Sequence, residues 1–197
     1  MTQARTRLAT FDEYLAYDDG TDKFYELTNG ELIEVPPETE ENAYRAFSLL
    51  MALSKFVDIR RIKVQKLEIE VPALPGMPIN RQPDLTVLAE GHIEQMSDIN
   101  QMAIKRFMTP PLMVVEVVSP YKNTSQANYR RDYIDKREQF EAIGVPEYWI
   151  VDPTAGQVSV LVLVDDTYQA SVFVGEQLIA STIFPALAIT ASSVLSM

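Results

Sequence analysis

The sequence predicts an α/β fold with a mixed central sheet flanked by helices, and three stretches predict it. The first is Leu112–Pro153, which reads strand, helix, strand. Leu112–Val118 and Tyr148–Val151 are apolar, too short for an ordinary helix, and rich in β-branched or aromatic residues, so they read as buried strands. Between them, 125–143 carries Tyr129, Tyr133, Phe140 and Ile143 near helical spacing, and Gly144 with Pro146 ends the helix. Such a unit places its two strands parallel with a right-handed crossover. The second stretch is an N-terminal β-hairpin, Phe24–Thr28 and Glu31–Val35, turned at Asn29-Gly30. The third is a C-terminal hairpin, Val158–Val164 and Tyr168–Val174, turned at Asp165-Asp166.

The remaining elements follow in order. Thr10–Tyr17 opens with Thr10 and Glu13 at capping-box spacing and reads as a short helix. Glu40–Val57 has helical periodicity, with Ala43, Phe47, Leu50, Met51 and Ser54 on one stripe and acids at the N-terminus, where the helix dipole favours them. Val64–Val71 alternates as a strand with imperfect phase, which predicts a bulge or twist. A proline-containing loop follows, and Pro83–Leu88 is a strand whose first residue tolerates proline. Ala89–Pro111 reads as a helical or irregular excursion with Met96, Ile99, Met102 and Ile104 as its apolar positions, and His92 as a solvated loop residue. Tyr148 and Trp149 are expected to fill the core rather than stack on bases. The apolar tail from Phe184 onward is expected to pack onto the body. No repeat or linker interrupts the chain, so one domain over 1–197 is expected.

Composition narrows the function classes. Hydrophobic residues make up 47% and charged residues 23%, as in ordinary globular proteins. With no cysteine, thiolate metal sites and disulfides are excluded, and a single histidine argues against His-rich zinc sites and Ser-His or Cys-His nucleophile systems. No apolar run has the length of a membrane span and the N-terminus lacks a signal-peptide core, so a cytoplasmic location is expected. The net charge of −11 argues against broad non-specific nucleic-acid binding. It leaves room for a local basic groove or for phosphate contacts made through a cation.

Glu116 turns the fold argument into a site argument. It lies inside an apolar strand, between Val115 and Val117, where a carboxylate is costly unless paired with a base or bound to a metal. Asp84 begins another predicted strand. If the two strands are neighbours, the acids share a side, and their mutual repulsion calls for a proton or a divalent cation. Magnesium suits one or two carboxylates, with water and phosphate oxygens completing the shell. On the following helix, Asp132 precedes Lys136 by one turn, a spacing that also describes an ordinary exposed pair. Lys122, Arg130, Arg131 and Arg137 form a local basic excess suited to phosphate, or simply a solvated helix face.

These residues carry a resemblance. Pro83-Asp84, Glu116 in VVEVVSP, Asp132–Lys136 (DYIDK), Gly144–Pro153 (GVPEYWIVDP) and Tyr25–Leu32 (YELTNGEL) are similar to the Uma-type restriction endonuclease family of the PD-(D/E)XK nuclease superfamily. The resemblance spans most of the chain and implies a restriction-endonuclease-like core and a metal-dependent endonuclease cutting DNA with Mg2+ or Mn2+. Asp84 and Glu116 would then be metal ligands and catalytic residues, Lys136 their electrostatic partner, Glu26 a further metal ligand, Asp132 a support, and Lys122, Arg130 and Arg131 phosphate contacts. The chain departs from the superfamily pattern at Val118, where a lysine two residues after Glu116 is expected; Lys136 takes that place from the helix. A family tyrosine four residues after the lysine is Phe140 here. The second reading is a binding or regulatory module with weak or no turnover on the same scaffold. A homodimer built on the apolar tail and edge strands is a further expectation.

Overall fold

The computed structural model describes residues 7–21 and 23–197. Helix α1 (Phe11–Leu15) is capped by Thr10, whose hydroxyl accepts the Glu13 N–H. Strands β1 (Phe24–Thr28) and β2 (Glu31–Val35) form the expected hairpin, with Asn29 at φ 52° and Gly30 at φ 84° making its two-residue turn. Then come α2 (Glu40–Leu53), β3 (Ile62–Val64), β4 (Glu68–Glu70), β5 (Asn80–Arg81), β6 (Leu85–Val87), α3 (His92–Asp98), β7 (Ala103–Ile104) and β8 (Met113–Val117). The crossover helix has three parts: α4 (Ala127–Arg130), a π-helical turn over Arg131–Asp135, and α5 (Lys136–Ala142). Gly144, at φ 79°, closes it: the Gly144 N–H bonds the Glu141 carbonyl and the Val145 N–H that of Phe140, a Schellman closure. Strands β9 (Glu147–Asp152), β10 (Gln157–Val164) and β11 (Thr167–Val174) and helix α6 (Ala191–Leu195) complete the chain.

The main sheet has six strands in the order β11-β10-β9-β8-β6-β3. β8 and β9 are parallel, joined by the crossover helix as expected, and their neighbours pair antiparallel. The sheet is therefore mixed. A smaller sheet, β5-β4-β7, stands beside it.

Alternation along β8 sets the layers. Met113, Val115 and Val117 join a core with Leu49 and Leu53 of α2 and with Phe184, Leu187 and Val194. Val114 and Val118 join a second core with Phe140, Tyr148 and Ile150 on the crossover-helix side. Glu116 falls in phase with the second set.

Several expectations are corrected. In α2 the buried face is Asn42, Ala46, Leu49 and Leu53, whereas Phe47 and Met51 are exposed. Two apolar stripes compete on this helix, and tertiary packing chose the one with Leu49 and Leu53. Val64–Val71 is two strands in two sheets, broken at Gln65 with φ 54°. The Ala89–Pro111 excursion holds the expected helical segment, α3, and in addition a short strand, β7. His92 is fully buried, its Nδ1 accepting the Ala89 N–H and its Nε2 lying 2.6 Å from the Thr109 carbonyl oxygen. Two backbone partners offset its burial, and nothing in the local sequence signalled them. The tail packs into the core as expected, which leaves the homodimer expectation resting on the edge strands alone. Among the described residues, no helix is long and apolar enough to cross a membrane.

Candidate active site

Strand register brings the two acids together. Leu85 pairs with Val115 across β6 and β8. One residue further along each strand, Asp84 comes opposite Glu116, and directly opposed residues project to the same face. Both line one cleft of about 440 Å³. Asp84 Oδ2 accepts the Val117 N–H at 2.6 Å, which ties its carboxylate to the strand that carries Glu116. Glu116 Oε2 meets Lys136 Nζ at 2.7 Å, whereas Glu116 Oε1 is buried with no hydrogen-bond partner.

The crossover helix supplies the counter-charge. Asp132, Lys136, Gln139 and Phe140 form its buried stripe. The π-helical turn ends where Lys136 begins; such turns are rare and often mark functional sites. Lys136 Nζ also lies 3.0 Å from Asp132 Oδ1, and Arg131 Nε 3.1 Å from the same oxygen. Lys136 is 7% exposed, so the solvated-pair reading of its spacing with Asp132 does not apply.

Three carboxylates thus share two cations, and the titration behaviour follows. Burial raises the Asp84 carboxyl well above the usual carboxylate range, and the Glu116 charge adds to it. Burial also raises Glu116, to about 6, against the opposing pull of Lys136. Asp132 is lowered: burial works against its charge, but Lys136 and Arg131 together outweigh burial. Burial likewise opposes the Lys136 charge, yet Asp132 and Glu116 overcome it, so the ammonium is held more firmly than usual. The excess negative charge resides on Asp84 and Glu116, where a proton or a cation would relieve it.

Glu26 lines the same cleft from β1, where Arg81 Nη1 binds its Oε1 at 2.7 Å. Arg81 is 2% exposed, and its Nε donates to Gln139 Oε1 at 2.8 Å. Gln139 in turn donates to the Pro72 and Pro78 carbonyls. Among the described residues, no group of three or more His, Cys, Asp or Glu is arranged to hold a metal. Asp84 and Glu116 remain as an opposed pair, which suits a cation that takes the rest of its shell from water and phosphate.

The basic residues separate. Arg131 is half-buried and lines the cleft. Arg130 is exposed and pairs with Asp135 at 3.3 Å; Lys122 is exposed; neither lines the cleft. Arg137 turns away to donate to the Tyr168 carbonyl. Sequence reading missed Arg81, Gln139, Gln82 and Glu38. Gln139 had a signal, since it stands one turn after Lys136 on the same predicted helix. Arg81 had none, because its place depends on a two-residue strand of the smaller sheet.

Comparison with known proteins bears on the fold and the family. A search of curated proteins gave no match. Among solved structures, a putative nuclease belonging to DUF820 from Anabaena variabilis superposes with a TM-score of 0.70 at 18% identity, covering 96% of this chain and 98% of that one. At that identity the likeness is one of fold. Residues 11–192 match the Uma2 family profile, described as putative restriction endonuclease. The match spans nearly the whole chain, which belongs to the Uma2 family.

Proposed function

We propose that this chain is a divalent-metal-dependent endonuclease that hydrolyses DNA phosphodiester bonds, with Asp84 and Glu116 holding Mg2+ or Mn2+. One observation carries the reading: a buried, partnerless Glu116 Oε1 on the face where a second carboxylate stands opposite. A native strand keeps such an atom without a partner at a cost of roughly 1–3 kcal/mol, which a hard cation removes. When bound, the cation supplies a Lewis acid for the phosphate and lowers the pKa of water. Lys136, fixed between Glu116 and Asp132, presents a permanent positive charge beside the reacting phosphate and stabilises the charge that develops there. Asp132 positions Lys136. Arg131 meets phosphate at the cleft, and Lys122 and Arg130 meet the strand further out. Glu26 reaches a cation only by releasing Arg81, so the reading rests on Asp84 and Glu116.

The test pairs Mn2+ calorimetry with cleavage assays on single-stranded, duplex and mismatched DNA. Wild type is expected to bind the ion and cut. Asp84→Asn, which keeps the acceptor for the Val117 N–H, is expected to lose both. Absence of metal-dependent cleavage across that panel would refute the enzymatic reading. The alternative, a binding or regulatory module, is favoured by the net charge of −11 and by Val118 where a lysine is expected. It predicts no turnover and no cation binding at millimolar Mg2+ or Mn2+.

A further inference from the structure

The groove continues past the two acids. It runs from Asp84 into a recess of about 400 Å³ that Glu116 and Lys136 do not line, a volume within the range of small-ligand pockets. Its walls are apolar and stiff: Phe24, Val35, Pro36 and Pro37. Its charge is not that of an anion site. Lys23 is paired with Glu34 at 2.7 Å, and Glu38 and Asp84 add two further acids. A phosphate there would be repelled by the Glu38 carboxylate, whereas a neutral ligand would not be.

Two amides, Gln65 and Gln82, line the recess. Gln65 occupies the break between β3 and β4 at φ 54°, and its backbone N–H donates to the Asp84 carbonyl at 3.2 Å. The recess is therefore tethered to the strand end that carries the metal-site acid. Gln65 Nε2 is buried without a hydrogen-bond partner. Turned by one rotamer toward the recess that Gln65 lines, this donor is satisfied by a ligand carbonyl or ring nitrogen.

We propose that this recess is a nucleobase subsite, taking the base of the nucleotide next to the phosphate at Asp84 and reading it through Gln65 and Gln82. A base is flat, neutral and edged with acceptors, which matches the apolar walls, the charge and the waiting donor. The proposal rests on the nuclease reading for the position of the phosphate, and it adds the substrate class. A base enters such a recess only after leaving its stack, which costs least in single strands or at unpaired and mismatched positions. These are the substrates the site selects, in keeping with a chain whose net charge of −11 gives little pull on intact duplex.

Nucleosides test the recess apart from catalysis, since they carry no phosphate and need no metal. Titrating deoxycytidine, thymidine, deoxyadenosine and deoxyguanosine into the 15N-labelled full chain with chelator present is expected to give saturable shifts of the Gln65 and Gln82 side-chain amides. One base is expected to be preferred. Gln65→Asn and Gln65→Gly both tolerate positive φ and keep the fold. Each is expected to weaken nucleoside binding about fivefold, the loss of one neutral hydrogen bond. Flat titrations with all four nucleosides, or binding unchanged in both variants, overturn the subsite. Mn2+ binding and cleavage are measured in parallel. Metal-dependent cleavage with flat nucleoside titrations removes the recess and leaves the nuclease reading standing. Nucleoside binding at Gln65 without metal binding keeps the recess and removes the nuclease.

Discussion

Replacing Glu116 by glutamine separates what this residue does for function from what it does to stability. The glutamine has the same shape and no charge. In the folded protein the Glu116 carboxyl is raised from its ordinary 4.5 to about 6, with burial the largest cause. A group raised in the folded state contributes stability that is fully present below its unfolded value and is lost as pH rises through the folded one. Glu116 therefore stabilises the fold, relative to its charged form, below pH 4.5, and that contribution is gone above about pH 6. At 1.36 kcal/mol for each tenfold change in proton affinity, this amounts to about 2 kcal/mol. Glu116→Gln is accordingly expected to be about 2 kcal/mol more stable than wild type at pH 8 in chelator, with the difference vanishing near pH 4.5. Asp84 reinforces the direction, because the Glu116 charge is part of what raises it. Urea denaturation at both pH values measures the difference. The same variant is expected to lose the stabilisation that Mn2+ gives wild type, about 2.7 kcal/mol at a hundredfold excess over the dissociation constant. A variant less stable than wild type at pH 8 would refute the reasoning: the Lys136 pair would then be a net structural asset, with no room for the claim that the carboxylate is kept for an ion.

Three further perturbations probe the surrounding network. Lys136→Met leaves Glu116 and Asp132 without their shared cation, and breaking a buried pair in this way is expected to cost about 3–5 kcal/mol. The cost should be smaller at pH 5, where Glu116 can neutralise itself by taking a proton; thermal denaturation at two pH values checks both points. Arg81→Met releases Glu26 at the cleft and orphans Gln139 Oε1, at an expected cost of about 2–3 kcal/mol. If Glu26 then joins the cation, calorimetry will show tighter Mn2+ binding than in wild type. His92 is lowered by its burial, so its neutral form stabilises the fold above the ordinary value of 6.5 and that contribution is lost as pH falls. His92→Phe removes both ring contacts, an expected loss of about 2 kcal/mol at pH 8, and the gap to wild type should narrow below pH 6.5.

The sequence was most legible where period and punctuation agree. The Asn29-Gly30 turn, the apolar run around Glu116 and the Gly144 stop each left a local mark, and hairpin, strand and helix end follow them. A carboxylate inside an apolar strand was itself a signal, and Asp84 stands opposite because antiparallel register carries it there. Legibility failed where distant parts decide. Which face of α2 is buried depends on Phe184 and Val194, far along the chain. The burial of His92 depends on a carbonyl at Thr109, and the setting of Glu26 on Arg81 and Gln139 from two other elements. None of these is encoded within a window of residues.

The face of β8 opposite Glu116 is closed in part by Phe184, Leu187 and Val194. Leu49 and Leu53 of α2 cover the same side from the early part of the chain, so its closure joins two ends of the sequence. The strand that carries Glu116 is thus clamped on that side by residues more than a hundred positions apart, and the carboxylate on its other side is only as steady as that clamp. Loss of the C-terminal segment would therefore be felt at a carboxylate it never touches.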